Sequence, residues 1–210
     1  MLTTWRTVVA IAAITGTLGQ PAPPQAQPAP IVIDAIVATV NGQVITDSDV
    51  RAAAHLAAAR GQAPGDPVAQ LIDRALMLDE VQRASQAVPP AEQVEARRHQ
   101  IEAALGPTLM ATLATRDALT DGRLTAWLRD DLRIEAYIAQ RFTAAAQPTD
   151  EEVASFFVAN AARFAQPGVD ADDAATARAR TALVEVRRRA LIEAWLDGLR
   201  RRADIVATPR

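Results

Sequence analysis

The chain contains no cysteine, which excludes disulfides, thiolate metal sites and thiol nucleophiles. It contains no lysine either: all 22 basic side chains are arginine. A protein surface has no physical need to exclude lysine everywhere, so this skew reads as genome composition rather than mechanism. Only two histidines are present, His55 and His99, too few for most zinc sites unless carboxylates complete the shell. Aromatic residues make up 4% although half of the 210 residues are hydrophobic, so Ala, Leu and Val must supply most of the packing. No G-x-x-x-x-G-K, G-x-G-x-x-G, H-E-x-x-H or G-x-S-x-G occurs, which removes the common phosphate-loop, dinucleotide, zinc-protease and nucleophile-elbow signals. A net charge of −3 gives no whole-molecule attraction to nucleic acid or an anionic membrane.

What is present begins with location. Arg6 is the only charge before Asp34, and "TVVAIAAITGTLG" follows it. That run suits a signal-peptide core and is short for a membrane span. Thr17 and Gly19 are small residues at −3 and −1 of a cut before Gln20. Residues 1–19 are therefore expected to be a signal peptide, with an uncleaved anchor as the alternative, and the protein is expected to be periplasmic or otherwise extracytoplasmic. "QPAPPQAQPAP", residues 20–30, holds five prolines and no charge and is expected to be an extended linker. A single folded region, 31–210, then follows, since this length is enough to bury a core.

Within it, "IVATVNGQVITDSDV" (36–50) predicts a hairpin over 36–45. Asn41-Gly42 suits a type I′ turn, and Ile36, Ala38 and Val40 alternate on the first strand. Thr46 with Asp49 three residues on resembles a capping box. Helices are expected at 47–60 and from Asp66-Pro67, where Val68, Leu71, Ile72, Ala75, Leu76 and Val81 hold a helical spacing. Another follows Pro89-Pro90, with Val94, Ile101 and Leu105 on one face. Gly106-Pro107 breaks it before a short helix carrying Leu109 and Leu113. Thr120 or Asp121 opens a longer helix with Leu124, Trp127, Leu128, Ile134, Ile138 and Phe142. Thr149 caps one whose first turn is acidic, with Val153, Phe156, Phe157 and Phe164 inward. "AQPGVDADD" reads as a loop, and a last helix over 171–202 buries Leu183, Val184, Leu191, Trp195 and Leu199. Ile205-Val206 reads as a short strand, about 204–207. A lone hairpin is marginal in water, so this strand is expected to complete a small antiparallel sheet in an otherwise mainly α domain.

The ordered series "IVATVNGQVITDSDV", "LIDRALMLDEV", "LRDDLRIEAYIAQRF" and "PTDEEVASFFVANAARF" resembles the N-terminal chaperone domain of SurA-type periplasmic folding factors, a family associated with parvulin prolyl isomerases. The likeness covers roughly 34–164, and no single short motif within it is specific. It implies a helical domain that holds unfolded outer-membrane or secreted polypeptides. In that family a parvulin module usually follows the "DEEV…F" helix. Here only a few residues separate Phe164 from the closing helix, where a module of ~90 would be needed. Neither His55 nor His99 lies at that place. The resemblance thus implies the chaperone part without the isomerase part, and no enzymatic activity.

Such a binder needs an exposed, adaptable apolar groove rather than a catalytic group. Met77, Met110, Phe156 and Phe157 are the candidate peptide-binding residues, with ordinary core packing as the alternative for each. No catalytic residue, metal ligand or cofactor is expected. The expected partners are unfolded exported polypeptides, not nucleic acid, with no stable membrane insertion after signal cleavage. The carboxylate pairs Asp47/Asp49, Glu151/Glu152 and Asp172/Asp173 fit helix starts, and Asp130/Asp131 is weighed against catalysis as well. The runs Arg187–Arg189 and Arg200–Arg202 read as a solvated, acid-paired surface, because consecutive helical residues cannot form one stripe. Two other functions remain open on the sequence: an isomerase-family protein whose catalytic module is lost or supplied by a partner, and an assembly subunit docking one fixed partner.

Overall fold

A left-handed pair of residues starts the fold. Asn41 and Gly42 take φ of 49° and 82°, as a type I′ turn requires. They join β1 (Ile36–Val40) to β2 (Gln43–Thr46) as antiparallel neighbours. The computed structural model describes residues 34–63, 65–164 and 173–208; the expected signal peptide, the linker and nearly all of the 165–173 loop lie outside them. The described residues belong to one unit, Asp34–Arg210.

Thr46 ends β2 and caps α1 (Asp47–Ala59). Its hydroxyl accepts the Asp49 N–H at 3.3 Å, and the Asp49 carboxylate accepts the Thr46 N–H at 3.0 Å. This reciprocal box satisfies two donors that a helix start would otherwise orphan. Asp66 and Pro67 open α2 (Pro67–Arg83) in the same spirit, the Asp66 side chain accepting from Val68 N–H at 2.9 Å. In α3 (Ala91–Arg116), Gly106 takes φ 75°, ψ 164° immediately before Pro107. The expected break is there, yet helix resumes at once, so two pieces run as one kinked element. Thr120 caps α4 (Asp121–Phe142). Thr149 and Glu152 form a second capping box at α5 (Asp150–Ala159), and α6 (Ala161–Phe164) is a single turn. The last helix, α7, runs Asp173–Arg200, and β3 (Ile205–Ala207) follows.

β3 pairs antiparallel with β1, giving the strand order β2-β1-β3 with Val40↔Ile205, Thr39↔Val206 and Ala38↔Ala207. The pairing is tied at both ends. Asn41 N–H donates to the Asp204 carbonyl at 2.8 Å, and Thr208 N–H donates to Val37 at 2.9 Å. The Asp204 N–H in turn donates to the Asn41 side-chain oxygen at 3.0 Å. The two ends of the described fold therefore meet in one sheet. Ile36 departs from the expected alternation: it is 54% exposed while Val37, Ala38 and Val40 are buried. A register shift between Ile36 and Ala38 turns it outward, as a bulge does to the residue it displaces.

Beneath the sheet, Ala38, Val40, Ile45, Val50, Leu71, Leu76 and Leu199 form one core. Leu56, Ile101, Leu113, Leu124 and Leu128 form a second among α1, α3 and α4. Trp195 of α7 packs at a tilt against Tyr137 and Phe142 of α4, at 5.7 and 5.5 Å between ring centroids. A satellite core of Val153, Phe164, Ala179 and Leu183 binds α5 and α6 to the N-terminal half of α7. On α7, Val184, Leu191 and Trp195 are half-buried rather than buried, whereas Ala175, Ala179 and Leu183 are buried. The i, i+4, i+8 spacing of these three sets the stripe that α5 and α6 cover.

Candidate functional site

The helices leave a furrow where α1, α2, α4 and α7 come together. Its larger part is a cavity of about 350 Å³. Ala53 and Ala57 of α1, Leu71 and Met77 of α2, Trp127 of α4 and Leu196 of α7 supply its apolar lining. Small alanines on α1 keep that side low, so a void remains where a larger residue would close the packing. Arg60, Gln62, Gln70, Asp73 and Arg74 supply the polar part. A second depression of about 210 Å³ shares Leu71, Arg74 and Trp127 and continues along Gln43, Val44 and Ile45 of β2 to Asp49 and Arg123. The Arg74–Trp127 stack, with the guanidinium carbon 4.2 Å from the ring centroid, is the divide between them. Among the described residues β2 is an edge strand, so the furrow runs out beside that edge.

Its floor is held by a buried charge arrangement. Asp131 sits between two guanidiniums: Arg74 Nε donates to Oδ1 at 2.9 Å, and Arg60 Nη2 lies 2.7 Å from Oδ2. Arg74 Nη2 also donates to the Trp127 carbonyl at 3.1 Å. The Asp131 side chain is only 8% exposed, and a carboxylate that deep is tolerated because it is paired. Its sequence neighbour Asp130 is half-buried, lines neither depression, and is pushed above the ordinary carboxylate range by burial. The two do not face one another across a cleft as an acid/base pair would. At the rim, Arg200 of α7 grips both oxygens of Asp73 at 2.8 and 2.6 Å across 127 residues of chain.

No protein-family model matches this chain, and no curated protein matches it. The site therefore stands on its own geometry.

The four candidate peptide-binding residues fall in three places. Met77 lines the furrow. Met110 lines a separate cavity of about 470 Å³ at the α3 kink, with Pro107, Ala111, Leu119 and the acids Glu102 and Asp121. Phe156 and Phe157 are half-buried against Phe164, at 5.9 and 6.2 Å between centroids, inside the satellite core. They do not meet in one groove. His99 is exposed, 3.7 Å from Glu102, and His55 is half-buried on α1. Among the described residues no group of three or more His, Cys, Asp or Glu could hold a metal ion, and no helix is long and apolar enough to cross a membrane. The arginine runs are partly acid-paired: Arg187 with Glu152, Arg188 with Glu185 at 2.9 Å, and Arg200 with Asp73 and Asp197.

Sequence reasoning missed Arg60 and Arg74, and weighed Asp131 only as half of a carboxylate pair. A signal for two of them is visible. Arg74 lies at core spacing among Leu71, Ala75 and Leu78, and Asp131 lies three residues past Leu128. Opposite charges within two apolar stripes point to a buried pair.

Proposed function

We propose that the chain is a SurA-type holding factor: a non-catalytic binder of unfolded exported polypeptides that acts outside the cytoplasm. The observation that carries this reading is the furrow beside β2, the edge strand among the described residues. It combines an apolar wall (Leu71, Met77, Trp127, Leu196) with Arg and Gln donors. An unfolded chain offers both apolar side chains and backbone carbonyls, and a site for many sequences must take the first loosely and the second generically. Methionine suits that task because its unbranched, polarizable side chain adapts to different partners. The ordered likeness of four segments to the SurA-type domain and the small sheet that closes the helical body are in keeping with it.

The test is aggregation suppression. The full chain, at near-stoichiometric ratio, is expected to slow the light-scattering rise of an outer-membrane protein diluted from urea. Met77→Glu, which puts a charge in the apolar wall, is expected to abolish the effect while leaving the far-UV spectrum unchanged. Absence of suppression by the native chain overturns the reading. Acceleration of cis/trans exchange on an X-Pro peptide overturns its non-catalytic part.

A second reading, a subunit docking one fixed partner, is favoured by the outer face of the sheet. Val44, Thr39 and Val206 are directly in register there, and the two valines are 47% and 58% exposed. A stoichiometric complex with one defined protein, together with no suppression, would decide for it.

A further inference from the structure

We propose that the furrow receives the free C-terminal carboxylate of the polypeptide it binds, held by Arg60 and Arg74. This rests on the polypeptide-binding reading and names the part of the chain that the site selects. The furrow floor is rich in donors and poor in acceptors. One carboxylate, Asp131, serves two guanidiniums, and its 2.7 Å contact with Arg60 lacks hydrogen-bond alignment. Arg60 Nε and the Trp127 indole N–H are buried out of a ligand's reach, but both guanidiniums line the cavity and their Nη1 groups donate to no described residue. The acid on the cavity lining, Asp73, already has both oxygens committed to Arg200. Asp197, the second acid on Arg200, is 57% exposed and screened by water. Asp131 is thus the one carboxylate in direct contact with both Arg60 and Arg74, with the half-buried Asp130 a more distant negative charge on Arg74, and the uncommitted Nη1 groups can meet an acceptor that enters the cavity.

The acceptor that fits best is a carboxylate, whose two oxygens match the planar fork of a guanidinium. A terminal carboxylate fits better than an Asp or Glu side chain within a chain. Leu71, Met77 and Leu196 give the last residue an apolar seat in the same cavity. The preceding residues need only one exit, past the Arg74–Trp127 stack and along β2.

The experiment is fluorescence anisotropy of the full chain with a fluorescein-labelled unstructured peptide ending in Leu. It has three arms: free acid, C-terminal amide, and an amide whose last residue is Glu. The free acid is expected to bind about tenfold more tightly than either amide, the gain of a charge-assisted pair over a neutral one. Arg60→Gln is expected to erase that preference. Gln70→Glu, at an exposed position of the lining, is expected to do the same by repulsion without touching the core, and it decides the matter if Arg60→Gln unfolds. Equal binding of acid and amide overturns the proposal and leaves polypeptide binding standing, as does a preference that survives in a folded variant. Equal binding of the Glu-ended amide and the free acid overturns the terminal assignment. If no peptide binds, the functional reading falls with it.

Discussion

The meeting of the two ends of the described fold in one sheet can be tested with a single substitution and its neighbour. In an antiparallel ladder, mutually bonded pairs alternate with unbonded ones. Asn41 N–H reaches Asp204, and Thr208 N–H reaches Val37, so both outer pairs are of the bonded kind. The register Val40↔Ile205, Thr39↔Val206, Ala38↔Ala207 then makes Thr39–Val206 the bonded pair between them. The N–H groups of Ile205 and Ala207 face away from β1. Val206→Pro removes a donor that the Thr39 carbonyl needs, and Ala207→Pro removes one directed outward, where an edge strand tolerates proline. Val206 is 58% exposed, so little side-chain burial is lost and the cost is mainly the orphaned carbonyl, about 1–3 kcal/mol. At about 2–4 °C per kcal/mol for a domain of this size, Val206→Pro is expected to lower Tm by roughly 2–12 °C, and Ala207→Pro by much less. Thermal melts of the two variants, followed by far-UV circular dichroism, check this. Equal shifts would mean that the strand phase is wrong; no shift from either would mean that β3 does not hold the sheet.

Three further outcomes are expected. Leu56 is fully buried among α1, α3 and α4, and Leu56→Ala is expected to cost about 2–5 kcal/mol in urea unfolding. Asp131→Asn leaves Arg60 and Arg74 without their shared counter-charge and is expected to cost about 3–5 kcal/mol by the same measurement. Glu152 is held down to about 2 from an ordinary 4.5, first by the hydrogen bond from Arg187 and then by the Thr149 N–H. The unfolded chain takes up that proton first, so the contribution is complete above 4.5 and is lost as pH falls toward about 2. Urea midpoints above and within this window are expected to show a shallower acid decline for Glu152→Gln than for the native chain.

Local chemistry made most of the fold legible. Asn41-Gly42, the Thr46 and Thr149 caps, Asp66-Pro67 and Gly106-Pro107 act within a few residues of themselves, so the sequence carries them directly. The pairing of β3 with β1 was legible for another reason: a lone hairpin needs a third strand, and Ile205-Val206 was the natural one to supply it. Ile36 was not, because its exposure depends on a register shift between Ile36 and Ala38 that alternation alone does not carry. The half-burial of Leu191 and Trp195 was not, because a 28-residue helix changes partners along its length. The candidate site was the least legible part. A furrow is what remains between four helices, and periodicity reports which face turns inward without saying where two faces fail to close. Met77 is legible as a candidate for an apolar groove, whereas Arg60 and Arg74 each look like surface residues and Asp131 looks like half of a carboxylate pair.

The closing strand and the furrow depend on each other. α7 is about 42 Å long at about 1.5 Å per residue over its 28 residues. Its N-terminal half carries the satellite core of α5 and α6, and its C-terminal half supplies Leu196 to the furrow wall. That half is fixed by Trp195 on Tyr137 and Phe142, by Arg200 on Asp73, and by β3 on β1. The furrow thus lacks its fourth wall until the last described part of the chain has docked. Loosening β3 frees the end of α7 and opens the apolar seat to water, where a bound side chain would gain less from burial. Val206→Pro is therefore expected to weaken peptide capture at a temperature where the variant is still folded, while Ala207→Pro leaves capture unchanged. If Val206→Pro lowers Tm yet captures peptide as the native chain does, the binding surface lies away from α7, and the cavity at the α3 kink becomes the place to look.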